Sequence, residues 1–300
     1  MRQLTVRLVL ACLIGVLASG ALADDRPRVV AVNYPLQYFA ERLLGDAATV
    51  EFPVPEGVDP SFWRPSISDI SAVQAADLIL LNGAGFATWV DRVSLPRSKI
   101  VNTSAAFEDR YIATESITHS HGDGGEHSHE GTASYLWLDP ALAALQAEAI
   151  AQAIRAKGLA PEDEVEAQLA AIRSDLEALG TEATTAVADL QNTTLIATHP
   201  RYQYFARAYG LTIQSLEWEA GAAPTAEDLA ELEALVAETG ATALLWEAEP
   251  PASALDDTAA LGLQHVTFAP LASAPSADFL ASYQAALAAL SQVVPGDPGN

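Results

Sequence analysis

Short aliphatic runs alternate with helical patterns along this chain, and the alternation occurs twice. The aliphatic or β-branched runs are residues 29–32, 49–54, 78–81 and 100–102 in the first half, and 194–197, 212–215, 243–246 and 265–268 in the second. Helical patterns lie between them, at 36–44, 68–75, 85–93 and 225–238. Alternation of this kind is typical of parallel strands joined by crossover helices. We therefore predict an α/β protein with two lobes, each built on a parallel sheet flanked by helices.

A single apolar stripe between these halves predicts one long helix from residue 161 to residue 190. Its aliphatic members recur at helical spacing: Val165, Leu169, Ile172, Leu176, Leu179, Val187 and Leu190. Gly180 interrupts the helix at a cost of about 1 kcal/mol relative to alanine, but the stripe continues beyond it. A second helix precedes it, with Asp139 as N-cap, Pro140 in its first turn and its end at Gly158. Together these helices predict a rigid link between the lobes, which limits hinge closure.

The first residues have the pattern of a secretory signal peptide. Arg2 and Arg7 precede an apolar run at 8–17, and Ala21-Leu22-Ala23 supplies a small-x-small cleavage pattern. A membrane anchor is the competing interpretation, but the apolar run is shorter than the roughly 20 residues that a bilayer requires. We expect cleavage near Ala23 and a periplasmic location. The chain then divides into a signal peptide (1–23), an N-terminal α/β lobe (24–158), a linking helix (159–191) and a C-terminal α/β lobe (192–300).

Cysteine use and net charge narrow the chemistry and the partners. The one cysteine, Cys12, lies inside the signal peptide, so any soft-metal ligand of the mature chain must be a histidine. Loss of residues 1–23 removes two arginines and no acids, which takes the formal charge from −24 to −26. Such acidity excludes nucleic acid and anionic lipid as expected partners. It serves solubility or attracts cations, and the sequence leaves both interpretations open.

One segment, residues 118–131, contains four of the six histidines, several glycines and no apolar residue. A segment of this composition cannot form a packed element, so we predict a solvated, His-rich loop within the N-terminal lobe. Its histidines form two His-x-His pairs, His119 with His121 and His127 with His129.

Several short motifs occur together in a fixed order. They are Val29–Leu36, Gly57–Pro60 with Pro65–Ile70, Ala76–Leu78 with Asn82–Gly85, Leu136–Pro140, and Thr198-His199 with Tyr204–Leu211. With these motifs the chain resembles the zinc- and manganese-binding proteins of bacterial ABC importers over nearly the whole mature sequence. That resemblance implies two α/β lobes, a linking helix and a metal held between the lobes.

The resemblance also implies where metal ligands are expected, and several of these positions differ here. Ser61 and Tyr135 stand where the family pattern has histidines, and Ala269 stands where many members have an aspartate. His199 is retained, and Glu247 matches a position where the family often has a glutamate near the metal. Because a tight zinc site needs three or four protein ligands, the two that remain predict weak affinity. Manganese would require more oxygen ligands than are present.

The His-rich loop directly precedes Tyr135, so it is expected beside the mouth of the cleft. Our leading hypothesis is that imidazoles of His119, His121, His127 or His129 join His199 and Glu247 around zinc. The alternative is that the loop only scavenges ions weakly. Both remain open, because ordering a glycine-rich loop costs roughly 1 to 2 kcal/mol per residue in backbone entropy.

Aromatic residues suggest a different ligand class. Trp63 and Tyr135 occupy or adjoin the replaced ligand positions, and Trp218 lies in a segment next to the expected cleft. Such side chains can enclose an organic or chelated ligand in a mostly apolar pocket. Core packing is the simpler interpretation for Trp137 and Trp246.

From these features we predict a monomeric periplasmic substrate-binding protein that delivers Zn²⁺, or less readily Mn²⁺, to an inner-membrane ABC permease. Two alternatives stay open: a divergent binding protein for a metal complex or small organic ligand, and a periplasmic zinc buffer or chaperone. We do not expect an enzyme, because the sequence has no nucleophile motif, phosphate-binding glycine loop or His-Glu-x-x-His run.

Overall fold

The first half of the chain forms a four-stranded parallel sheet. The computed structural model describes residues 26–114, 131–218 and 221–295. The strands are β1 (Arg28–Ala31), β2 (Thr49–Glu51), β3 (Leu78–Leu81) and β4 (Ile100–Asn102), in the order β2-β1-β3-β4. The central strands β1 and β3 are aliphatic and almost fully buried, as expected for a parallel sheet covered on both faces.

The second half repeats this arrangement. Between the halves, β5 (Ala113–Thr114) and β6 (Gly131–Thr132) form a short antiparallel pair. The second sheet contains β7 (Thr194–Ala197), β8 (Thr212–Ser215), β9 (Ala243–Trp246) and β10 (Gln264–Thr267), all parallel, in the order β10-β9-β7-β8. The predicted class, α/β with two lobes built on parallel sheets, is confirmed.

Helices cover both sheets and begin where their sequences supply caps. They are α1 (Tyr34–Leu44), α2 (Ile67–Ala75), α3 (Pro140–Lys157), α4 (Glu162–Ala186), α5 (Gln203–Tyr209), α6 (Ala226–Thr239), α7 (Ala252–Ala259) and α8 (Phe279–Leu290). Ser66 and Asp69 form a capping box at the start of α2, and Thr225 and Asp228 form another at the start of α6. Helix α3 has the predicted cap at Asp139 and ends at Gly158 in a left-handed conformation.

Helix α4 is the predicted link, and one continuous core surrounds it. It packs against α1, α3 and α8. Its apolar stripe is buried, and the stripe ends in a 3-10 turn at Ala188–Leu190 rather than in the helix itself. The buried cluster that includes this stripe also contains Val30 of the first sheet and Leu245 of the second. The lobes therefore share a core instead of meeting at a hinge of thin strands.

Two hydrogen bonds with buried donors join the lobes. The indole Nε1 of Trp137 donates to the carbonyl of Pro270 at 2.7 Å, and the hydroxyl of Tyr283 donates to the carbonyl of Leu138 at 2.6 Å. Both donors are fully buried, so each bond satisfies a group that would otherwise be desolvated without a partner.

Some boundaries differ from the sequence predictions for local reasons. The helix predicted at 85–93 is only a 3-10 turn at Thr88–Arg92, because Gly83, Ala84 and Gly85 all have positive φ and form a turn. At Gly83 an added Cβ would collide with the Ser104 hydroxyl, so this position requires glycine. The strand predicted at 49–54 ends at Glu51, where Pro53 and Pro55 stop the ladder.

Several predictions concern residues outside the described ranges. These are the signal peptide with its cleavage near Ala23, and the His-rich segment, of which only Gly131 is described. The numbered boundaries of the lobes also stay predictions. Within the described ranges, no helix combines the length and the apolar character needed to cross a bilayer.

Because α4 lies in the shared core, substitutions on its buried face should lower the free energy of unfolding. Ile172 on α4 is fully buried, so Ile172→Ala should lower the free energy of unfolding by about 2 to 5 kcal/mol. Gln168 is exposed on the same helix, and Gln168→Ala is expected to stay within about 0.5 kcal/mol of the parent. Chemical denaturation of the two variants measures the difference. Equal stability of both would contradict the placement of α4 at the centre of the core.

Candidate functional site

The carboxyl ends of both sheets open onto one cleft of about 660 Å³. Residues 57–60, Phe62 and Tyr135 line it from the N-terminal lobe, while His199, Arg201 and residues 269–275 line it from the C-terminal lobe. Ser61, a predicted cleft position, is buried behind this lining. Parallel sheets bind ligands at these strand ends, where the loops diverge and backbone groups stay accessible. The cleft between the lobes is therefore the candidate site.

His199 follows β7 and lines the cleft as predicted. Its Nδ1 lies 2.9 Å from the backbone carbonyl of Trp218. A carbonyl can only accept, so Nδ1 donates this hydrogen bond, and in the neutral ring Nε2 keeps its lone pair. A metal-binding imidazole usually donates its other ring N–H to a carbonyl in this way, which fixes the orientation of the ring.

Glu247 directly follows β9 and also lines the cleft, but its carboxylate is already engaged. Its Oε2 accepts a hydrogen bond from Nε of Arg201 at 3.3 Å. The Glu247 side chain is 6 % exposed, so the charge of this carboxylate is balanced within the protein rather than by water.

Arg201 is the central residue of the cleft, and the sequence analysis missed it. It is 8 % exposed and bonds one carboxylate from each lobe. Besides Glu247, it holds Asp59, whose Oδ2 accepts from Nη2 at 2.7 Å. The nitrogens Nε and Nη2 form one edge of the guanidinium, so both carboxylates converge on the same edge.

Tyr135 and Ser61 stand at the positions where the family resemblance implied histidines, and both support this ion pair. The ring of Tyr135 lies under the guanidinium, with its centroid 4.6 Å from Cζ of Arg201, a cation–π distance. The backbone N–H and the hydroxyl of Ser61 both donate to Oδ1 of Asp59, at 2.8 and 2.6 Å. Asp59 is thus fixed by Ser61 on one oxygen and held by Arg201 on the other.

Tyr135 is not available as an anionic ligand at neutral pH. It is 3 % exposed, and burial raises the pKa of its hydroxyl despite the neighbouring positive charge of Arg201. The phenol therefore stays protonated, which disfavours coordination of a metal by a Tyr135 phenolate.

The other aromatic residues divide between the cleft and the core. Trp63 is buried against Trp89 with ring centroids 5.6 Å apart, and it is not among the lining residues. Its neighbour Phe62 lines the cleft instead and is largely exposed. Trp137 is packed in the core, as expected, and Trp218 lines the cleft.

Helix α5 anchors the stem of the His-rich segment. The hydroxyl of Tyr204, on α5, accepts from the backbone N–H of Ile112 and donates to the carbonyl of Ala133. Tyr204, which is close to His199 along the chain, thus hydrogen-bonds to both sides of the β5–β6 pair. The histidines themselves, His119, His121, His127 and His129, lie outside the described residues. Within the described ranges, no three His, Cys, Asp or Glu side chains are grouped as a metal site.

Sequence signals for the missed residues exist but are weak. Asp59 belongs to the Gly57–Pro60 motif, and Arg201 follows the Thr198-His199 motif closely. A basic residue is uncommon in this chain, which has 15 Lys and Arg against 39 Asp and Glu. An arginine so near a predicted metal ligand could have been noted as a counter-ion for nearby carboxylates.

Comparison with known proteins gives a consistent family. The model of the family described as "Zinc-uptake complex component A periplasmic" matches residues 29–293. The zinc-binding lipoprotein AdcA of Streptococcus pneumoniae is 28% identical over 217 residues, which cover 70% of this chain and 43% of the relative. The chain thus spans less than half of that relative's length. The high-affinity zinc uptake system protein ZnuA of Bacillus subtilis is 26% identical over 241 residues, covering 79% and 75% of the two chains.

A solved structure supports the fold. The Zn(II)-bound ZnuA-like domain of S. pneumoniae AdcA superposes with a TM-score of 0.74 at 20% identity, covering 89% of this chain and 98% of that domain. At this identity the likeness establishes the two-lobed architecture and not the ligands.

The buried ion pair predicts a stability difference between two glutamates. Glu247→Gln keeps the shape of the side chain but removes the negative charge that pairs with Arg201. We therefore expect the free energy of unfolding to fall by about 1 to 3 kcal/mol. Glu249 is exposed, with a single hydrogen bond to Thr267, and Glu249→Gln should change stability by less than about 0.5 kcal/mol. Thermal and chemical unfolding compare the two, and a Glu247→Gln variant as stable as the control would argue against a structural ion pair.

Proposed function

Because the chain belongs to the periplasmic zinc-uptake complex component A family, we propose that it is the substrate-binding component of an ABC importer, with zinc as its cargo and manganese as a poorer one. The observation that carries the proposal is His199. It lines the interlobe cleft with Nδ1 bonded to a carbonyl, which leaves Nε2 as a nitrogen donor. The names of the relatives, zinc-binding lipoprotein and zinc uptake system protein, support zinc as the metal.

The proposed site combines described and undescribed residues. His199 supplies a nitrogen and Glu247 an oxygen, and two protein ligands are too few for a tight zinc site. Imidazoles from His119, His121, His127 or His129 are the proposed additional donors. The described stem of their segment supports this, because Tyr204 ties both sides of β5–β6 to the helix that follows His199.

The partner and the location follow from the same proposal. An inner-membrane permease receives the metal, and the protein acts as a monomer in the periplasm after cleavage of the signal peptide near Ala23. The shared core around α4 disfavours a wide hinge motion, so metal uptake and release are proposed to involve side chains and loops at the cleft. Catalysis is not part of the proposal.

One observation favours a second candidate ligand. The cleft volume of about 660 Å³ is within the range of small-molecule pockets, and Phe62, Trp218 and Pro270 give it apolar walls. A single ion does not need this space. A zinc ion carried as a complex with a small organic molecule would fill it better. Native mass spectrometry of protein purified without added metal separates a bare ion from a complex by mass.

Zinc binding should depend on His199. We expect His199→Ala to weaken zinc binding by about tenfold or more, equivalent to at least about 1.4 kcal/mol, measured by titration against a competing chelator. His265 lies outside the cleft, where its Nδ1 accepts from Trp246, so His265→Gln is the matched control and should bind zinc like the parent. Unchanged affinity in His199→Ala, or no binding of any divalent ion by the parent, would refute the proposal.

The His-rich segment has a separate test. Deletion of residues 119–130 leaves four residues between Thr114 and Gly131, which are paired, and that is an ordinary hairpin length. A length-preserving variant changes His119, His121, His127 and His129 to Asn. If imidazoles complete the site, both variants lose zinc affinity by a similar factor, about tenfold or more. Parent-like affinity in both would leave the segment with no part in the cleft site.

A further inference from the structure

We propose that the Arg201 guanidinium occupies the position of a bound cation in the cleft and masks a latent divalent-metal site. With Arg201 in place, Asp59, Glu247 and His199 are not grouped as a metal site, and removing the guanidinium would free them to converge on an ion. Arg201 would then determine how tightly the cleft holds a bare metal ion. The inference rests on the proposed function only in using zinc as the cargo to be tested.

The charges of the cleft support this position for Arg201. Among the described residues that line the cleft, it is the one arginine or lysine, whereas Asp59, Glu217 and Glu247 all carry carboxylates. Without Arg201 these carboxylates would face one another with no positive charge between them. A ligand of positive charge is what such a cleft attracts, and Arg201 now supplies that charge from within the chain.

A metal ion would compete with the Arg201 guanidinium for the same carboxylate oxygens. Oδ2 of Asp59 and Oε2 of Glu247 both accept from one edge of the guanidinium, at 2.7 and 3.3 Å. These same oxygens are the ones a divalent ion would coordinate. A metal ion and the guanidinium therefore cannot both use them.

Asp59 is already prepared to act as a donor after Arg201 has left. Ser61 holds its other oxygen with two hydrogen bonds, so Oδ2 stays directed towards the cleft without help from Arg201. On the opposite wall, His199 is oriented by the carbonyl of Trp218. Two oxygens and one imidazole nitrogen are the number of protein ligands found in many zinc sites with one open position.

A change of pH does not remove this internal cation. A guanidinium remains protonated at every pH at which the protein is folded, whereas a lysine in its place could lose its proton. Arg201 is also held from its face by the ring of Tyr135 at 4.6 Å. Only a competing cation, or a movement of the side chain, can free the carboxylates.

The test compares zinc affinity in Arg201 variants of the mature full chain, all carrying Asn at 119, 121, 127 and 129 so that only the cleft is measured. Arg201→Met keeps the length and removes the charge, and it should bind zinc at least tenfold tighter than the Arg201 parent in competition with a chelator. Arg201→Lys keeps a positive charge and should gain much less. Adding His199→Ala to Arg201→Met should abolish the gain, because the imidazole is one of the unmasked donors.

Loss of the buried charge also lowers stability, so a second variant and a thermal measurement are needed to separate zinc binding from unfolding. Arg201→Gln retains hydrogen-bond donors for Asp59 and Glu247 and serves as a milder variant. For both uncharged variants, zinc should raise the melting temperature more than it does for the parent. The inference would be overturned if neither Arg201→Met nor Arg201→Gln bound zinc more tightly than the parent or gained more in melting temperature from zinc.

The outcomes separate this inference from the proposed function. If the unmodified chain, with all its histidines in place, binds no zinc while the Arg201→Met variant does, the proposed cargo is refuted and the masking role is supported. A parent that binds zinc through His199, with no gain in either uncharged variant, would support the proposed cargo and refute the masking role.

Discussion

The ionic cluster of Arg201 with Glu247, which is buried, and Asp59, which is partly exposed, is the interaction on which the rest of the cleft depends. It links the lobes, because Asp59 belongs to the N-terminal lobe and the other two residues to the C-terminal lobe. A buried charge without a partner is strongly unfavourable, so removing any one member would affect both others. Ser61 on Asp59 and Tyr135 under Arg201 are arranged around this cluster. The bond from Trp137 to the carbonyl of Pro270 also joins the lobes, with neutral groups.

The continuous core around α4 determines what kind of motion is available at the cleft. Side chains from both sheets pack into one cluster with the stripe of this helix, so opening the lobes widely would expose apolar surface. A rearrangement of one side chain, such as Arg201 leaving two carboxylates, requires no such exposure. The fold therefore favours ligand exchange by local movement, and it gives the residues on the cleft walls, rather than a hinge, control over affinity.

Much of the fold could be predicted because its signals are local in sequence. The stripe on α4, the Asp139 cap and the aliphatic runs of β3 and β9 each depend on neighbouring residues. The helix predicted at 85–93 was wrong because three consecutive positive φ values at Gly83–Gly85 come from a turn packed against Ser104. The cleft was harder to predict. His199 and Glu247 were identified from a resemblance, whereas Arg201 acquires its role from Asp59, 142 positions away along the chain.

The replaced ligand positions and the arginine form one chemical arrangement. Ser61 and Tyr135 are neutral where the resemblance implied imidazoles, and neither coordinates zinc readily as a neutral group. A cleft that lost those nitrogens but kept Asp59 and Glu247 would retain buried negative charge without a resident cation. Arg201 supplies the missing positive charge. The ring face of Tyr135 stabilises the guanidinium, and an imidazole engaged as a metal ligand would not offer its face in the same way. As long as the guanidinium bonds both carboxylates, a histidine restored at position 61 or 135 would still face an arginine where the metal would lie.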